Sequence, residues 1–210
     1  TMTWHDIISL HVAGPAGKSK EAVPLRWSEV PESLRALAEC MKVVLDTRVP
    51  VELAPSWLGA RTVVAGKRRG NRIRLGGALA ERLSPAALEG VMAHEIAHIK
   101  CMHWELLLAG STLAALAGIA LGLAIDLPMA FRLLLGGGVL ILSAAALSWV
   151  CEYEADSVAA QFVGYDVMTL TLRELRDSGF RSRAEFTHPP DGSRVRWLLS
   201  AQARRRMPGR

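Results

Sequence analysis

Two uninterrupted apolar runs limit what this chain can fold into more than any other feature. Residues 106–125 are twenty positions without a charge, and residues 133–150 are eighteen more. At ~1.5 Å per helical residue the first run spans ~30 Å, the thickness of a bilayer's hydrocarbon core. The segment between them holds Asp126, Pro128 and Arg132, as a tight loop outside the bilayer would. Trp104 and Trp149 stand at the ends of the hairpin that share one side, where interfacial tryptophans belong. Gly118 and Gly122 form a Gly-x-x-x-Gly pair that lets two helices approach closely. The rival arrangement is a buried helical hairpin in a soluble protein. Charge placement argues against it. Of 25 Lys and Arg residues, 24 lie in the flanking segments and only Arg132 sits at the hairpin tip. Such a distribution, with the positive residues inside, puts both flanks in the cytoplasm.

The rest of the 210 residues suffices for one modest domain with a real core. A net charge of +5 raises the question of nucleic acid, but no zinc-finger spacing and no basic-aromatic stripe accompany it. Lys67-Arg68-Arg69 lies between glycines and reads as a solvated hairpin tip, so no nucleic-acid partner is expected. Three cysteines (Cys40, Cys101 and Cys151) form no even framework, which fits a reducing compartment. The first thirty residues carry charges and prolines without an apolar run, so no signal peptide is expected there.

Along the chain, residues 14–20 are a loop by composition, and residues 31–46 carry apolar positions at helical spacing. Residues 49–53 read as a short strand. Residues 61–65 and 71–75 read as a β-hairpin around a five-residue turn. Ser84-Pro85 supplies an N-cap and a first-turn proline for a helix running past His98. After the apolar hairpin, residues 152–163 continue a helix and residues 166–178 form another. A short helix is expected around residues 194–199, followed by an Arg204-Arg205-Arg206 tail that is disordered or lies against anionic lipid.

The chemistry centres on His94-Glu95-Ile96-Ala97-His98. A spacing of four places both imidazoles on one helix face, one turn apart, where they can share a single metal ion. Glu95 follows the first histidine directly, which aims it at a reacting water rather than at the metal. The neighbouring Val91, Met92, Ala93, Ile96, Ala97 and Ile99 are apolar, and a carboxylate among them is costly without a function. Catalytic zinc takes a third protein ligand and keeps a fourth position open. Candidates downstream are Glu152, Glu154, Asp156 and His188. Glu152 and Asp156 are spaced i, i+4, so one can bind the ion while the other holds a ligand histidine's second nitrogen. Glu154 points away from that face. His188 is a candidate to stabilise the oxyanion formed when water attacks a carbonyl, and Arg194 is a candidate to pair with a site carboxylate. His103 falls on another part of the helix and is expected at the membrane interface; His5 and His11 are expected to be structural. Cys101 is expected to be a packed thiol rather than part of a second metal site.

Residues 88–98 together with Cys151-Glu152-Tyr153-Glu154-Ala155-Asp156 resemble the HtpX-type and CAAX-prenyl-endopeptidase family of membrane zinc metallopeptidases. That family has His-Glu-x-x-His, a hydrophobic hairpin, then Glu-x-x-x-Asp. Thr187-His188-Pro189-Pro190 followed by Arg194 resembles its later segment, although Gly59-Ala60-Arg61 stands where the family has Asn-Ala-Phe. The resemblance implies one zinc ion held by His94, His98 and Glu152, with Glu95 as general base and Asp156 behind the ligands.

The expected fold is α+β. It is a mainly helical, zincin-like catalytic domain with a small β-hairpin or sheet and an inserted two-helix transmembrane hairpin. Residues 1–104 would carry the active helix, 105–150 the hairpin, and 151–210 the third ligand. The expected protein is a multi-pass enzyme of the inner or cell membrane with its catalytic part facing the cytoplasm. It would hydrolyse peptide bonds of membrane or misfolded proteins, its partners being a protein or peptide substrate and the lipid bilayer. The alternatives are a dedicated signalling or maturation peptidase with few substrates, and a non-catalytic scaffold that zinc stabilises.

Overall fold

Residues 72–75 alternate charged and apolar, and that alternation orients the sheet that supports the helix carrying His94 and His98. The structure, a computed structural model, describes residues 6–7, 22–54, 60–64, 70–125, 128–179 and 188–206. The 14–20 loop, the 65–69 turn, His5 and His11 lie outside the described residues. Strands β1 (Val23–Leu25), β2 (Val51–Ala54), β3 (Ala60–Val64) and β4 (Asn71–Gly76) form one sheet in the order β1-β2-β4-β3. β2 runs parallel to β4, and the other two pairings are antiparallel. Val51, Leu53, Ile73 and Leu75 are fully buried on one face. On the other, Glu52 accepts hydrogen bonds from Arg72 (2.6 Å) and Arg74 (2.8 Å). Burial pushes the Glu52 carboxyl up, but these two guanidinium partners outweigh it and hold it below its usual range.

The helices are α1 (Glu32–Cys40), α2 (Gly77–Arg82), α3 (Pro85–Lys100), α4 (His103–Ala124), α5 (Met129–Val163), α6 (Tyr165–Asp177) and α7 (Asp191–Arg206). The fold is thus mostly helical with a small sheet and two candidate membrane-spanning helices, the architecture expected. α1 stops earlier than its apolar spacing implies. Val43 N–H reaches Ala38 O and Lys42 N–H reaches Glu39 O, with Lys42 in the left-handed region at φ 55°. That Schellman pattern closes the helix and frees Leu45 to bridge Asn71 at the start of β4.

α3 lies at the centre of the soluble part. Ser84 caps it by accepting from Ala87 N–H, and Ser84 itself donates to Glu174 on α6. Residues from Ala87 to Ala97 are buried almost all round, so α3 is a core helix rather than an amphipathic one. α6 packs so closely that a Cβ on Gly90 would stand 2.0 Å from Thr171 Oγ1.

α4 and α5 form the apolar hairpin. They cross at glycine, where a Cβ on Gly118 would come within 2.9 Å of Gly136 Cα and one on Gly122 would meet Arg132. Only 11% of the most apolar stretch of α4 and 0% of that of α5 is buried. A soluble core hairpin would cover these faces, so the exposure favours lipid as their solvent. At 35 residues α5 is ~52 Å long, far more than a bilayer needs. Its second half continues into the soluble part and buries Cys151, Glu152, Ala155, Asp156, Ala159 and Ala160 against the core.

The close contact at Gly90 yields a stability test. Gly90→Ala should lower the unfolding free energy by about 1–3 kcal/mol, because Thr171 must leave the rotamer that donates to Val167 O. Combining it with Thr171→Ala should recover part of the loss, as read by denaturant titration in detergent.

Candidate metal centre

Four segments far apart in sequence meet at the end of the apolar hairpin. α3 contributes His94, Glu95 and His98; α5 contributes Glu152 and Asp156; α7 contributes Arg194; and the segment before α7 contributes His188. The sequence separation between His98 and Glu152 vanishes because α4 and α5 run out and back as an antiparallel pair. His94 Nε2 and His98 Nε2 lie 3.0 Å apart, and each is 3.5 Å from an oxygen of Glu152. Donors bound ~2.1 Å from one tetrahedral ion stand ~3.4 Å from each other, so this trio has the spacing of a shared metal. Among the described residues, buried Glu152 Oε2 has no hydrogen-bond partner. With Arg194 Nη1 3.3 Å away but not hydrogen-bonded to it, that buried oxygen beside His94 Nε2 is one that a cation would satisfy. The surroundings agree, since the carboxylates of Glu152, Asp156 and Asp191 all lie within 3.7 Å of one buried guanidinium, that of Arg194.

The second nitrogen of His94 is held firmly. Its Nδ1 lies 2.9 Å from Asp156 Oδ1, and Asp156 in turn receives both Arg194 Nε (2.7 Å) and Nη2 (2.6 Å). Arg194 Nη1 reaches to 3.3 Å from Glu152 Oε2. Asp156 and Arg194 are 0% and 2% exposed, so neither charge would be tolerable without the other. Burial works against a charge on His94, but hydrogen bonds and attraction from Asp156 and Glu152 outweigh it and raise its pKa to about 9 in the metal-free chain.

Glu95 is buried beside these three donors, and its carboxylate faces β3. Thr62 Oγ1 lies 3.0 Å from both Glu95 O and Glu95 Oε2, so its one hydrogen can hold the carboxylate in place. His188 Nε2 stands 3.3 Å from Glu152 Oε1 and lines the cleft with Glu95, Thr62 and Trp104.

Sequence spacing placed His103 away from this group, at the membrane interface. The structure corrects that: His103 is 2% exposed and its Nδ1 is 2.7 Å from His98 Nδ1. A helical wheel extended from His94 fails here, because α3 ends at Cys101 and Met102 adopts φ 54° before α4 begins. Glu154, expected in solvent, is half exposed yet lies 3.4 Å from His103 Nε2. Thr62 carried no local sequence signal; only the pairing of β3 with β4 aims it at α3. α7 also exceeds the short helix expected, running to Arg206. It takes in the basic tail, with Arg204 over Trp197 and Arg205 over Tyr165.

Residues 63–202 match the sequence model of Peptidase family M48, and the chain belongs to that family. Its fold is similar to the crystal structure of S. mikatae Ste24p, with a TM-score of 0.64 at 18% identity. The match covers 85% of this chain and 52% of that one, so the chain spans about half the length of that relative. No curated protein matches it in sequence.

The His94 environment predicts a pH signature in chelator-treated protein. Between pH 6.5 and about 9 the folded chain keeps a proton on His94 that the unfolded chain has released. The stability from this group is therefore complete below 6.5 and is lost as pH rises through 9. Denaturant titrations should show that decline in the parent and a flatter one in His94→Gln. Equal slopes would mean that the carboxylates do not hold the proton.

Proposed function

We propose that this chain is a zinc metalloendopeptidase of a cell membrane that hydrolyses peptide bonds of membrane or misfolded proteins near the cytoplasmic surface. The observation that carries the reading is the convergence of His94, His98 and Glu152 beside Glu95, at the end of an apolar hairpin. Membership of Peptidase family M48 supports the reaction class. A zinc ion held by these three side chains would polarise a carbonyl and bring the pKa of water down to about 7.

Glu95 accepts a proton from the attacking water at its carboxylate and can return it to the leaving amine. Thr62 limits where that carboxylate can turn. Asp156 accepts the Nδ1 proton of His94, which leaves the Nε2 lone pair facing the centre, and Arg194 fixes Asp156. His188, on the open side of Glu152, donates towards the oxygen that gains charge during attack. β3 is the sheet edge on the cleft side and offers main-chain pairing to an extended segment, which would make recognition tolerant of sequence.

The membrane setting follows from where the site lies. Glu152 sits two residues past the uncharged run, ~3 Å of helix, so substrates would be cut close to the bilayer boundary. The orientation rests on the flanking Lys and Arg excess. We assign residues 1–104 and 151–210 to one catalytic unit interrupted by the hairpin.

Glu95→Gln tests the reading. On a membrane-protein substrate it should lower kcat by ~10²–10⁴-fold while zinc content and detergent-phase partitioning stay at parental values. Cleavage at the parental rate would remove Glu95 as the base. Full biological activity with no turnover would instead indicate a zinc-stabilised scaffold.

A further inference from the structure

The two histidines of the centre are held from behind in different ways, and the second hold comes from the membrane hairpin. His94 leans on Asp156, a carboxylate clamped by Arg194. His98 leans on His103, the first residue of α4, which in turn faces Glu154 on α5 just past its apolar stretch.

Proton placement follows from this geometry. His98 Nε2 faces His94 and Glu152, so on a metal it is the bare nitrogen. The proton of the neutral ring is then on Nδ1, 2.7 Å from His103 Nδ1. Two nitrogens that close share one hydrogen, so His103 Nδ1 must be bare and accept it. His103's own proton is consequently on Nε2, directed at Glu154 Oε2 3.4 Å away. We propose that His103 is a positioning residue that, backed by Glu154, fixes the tautomer and ring orientation of His98 and ties this ligand to the membrane hairpin. The proposal rests on the zinc reading of the site.

Cys101, His103 and Glu154 also bring donor atoms within 4.8 Å of one another, which by distance alone would suit a second ion. The proton argument excludes that use while the first ion is bound. His103 Nδ1 is taken by His98, and Nε2, the remaining nitrogen, carries hydrogen. The same three side chains cannot serve both roles with a neutral imidazole.

The test is zinc affinity, measured by competition with a chelator in detergent. His103→Leu keeps much of the volume and removes the acceptor, and should weaken zinc binding ~10–100-fold. His103→Asn places an amide oxygen near the Nδ1 position and should recover most of that affinity. Equal affinity in parent and His103→Leu, or equal loss in both variants, would overturn the proposal. A parent that binds no zinc would instead overturn the metal reading beneath it. A second zinc equivalent lost with His103→Leu would favour the Cys101 cluster and also overturn it. Should His103→Leu fail to fold, the parent decides alone. In zinc-loaded, ¹⁵N-histidine-labelled protein, long-range spectra should show His103 protonated on Nε2 and His98 on Nδ1. His103 protonated on Nδ1 would refute the assignment.

Discussion

The Arg194–Asp156 ion pair is the interaction on which the rest of the site depends. Both groups are removed from water, and desolvating two charges costs several kcal/mol each unless geometry returns it. Here the guanidinium meets the carboxylate with two donors at 2.6 and 2.7 Å, the arrangement in which an Arg fork recovers most. Asp156 Oδ1, besides accepting from Arg194, lies 2.9 Å from His94 Nδ1, and Arg194 Nη1 extends to within 3.3 Å of Glu152 Oε2. One pair therefore locks α7 to α5, sets the tautomer of one histidine and steadies the third candidate ligand. Removing either partner would strand a buried charge beside the centre as well as loosen a helix.

The pair can do this because α5 is one unbroken helix. Its first half is built for lipid, with exposed leucines and a glycine crossing against α4, and its second half is built for a protein core, with alanines against α3. No hinge among the described residues separates the two, so the depth of the hairpin in the bilayer and the position of Glu152 are mechanically linked. At the other end, the left-handed turn at Met102 redirects the chain between α3 and α4. The hairpin thus meets the site at both of its feet, through His103 on one side and Glu152 with Asp156 on the other.

How much of this is legible in the sequence depends on whether the information is local. The helix cap at Ser84, the histidine pair one turn apart, the i, i+4 carboxylates and the charge-free runs are all set by neighbours within a few residues, and each takes the helical placement expected of it. The Gly118 contact is legible too, because small residues at that spacing have few other uses in an apolar helix. What escapes reading is set by distant partners. β1 is three residues whose strand character exists only through pairing with β2. Thr62 gains its place from β4, and His103 from a helix break at Met102. That break has neither glycine nor proline to announce it, since a methionine in the left-handed region is uncommon. The basic tail becomes helix because Trp197 and Tyr165 offer aromatic faces to its arginines.

A site whose third candidate ligand lies fifty-four residues from the second would ordinarily bear the entropy of closing a long loop. The hairpin lowers that cost, because its two legs pack against each other at Gly118 and Gly136, away from the site. Its feet are then neighbours already. The remaining work is local: seating Asp156 on Arg194 and bringing Glu152 to the histidines, with the repulsion among carboxylates as the force that opposes it. A bound cation would relieve that repulsion, and the helices bring the donors to metal-binding distance of one another. The apolar hairpin in this fold is therefore better understood as the bridge that completes the centre than as an appendage to a finished site.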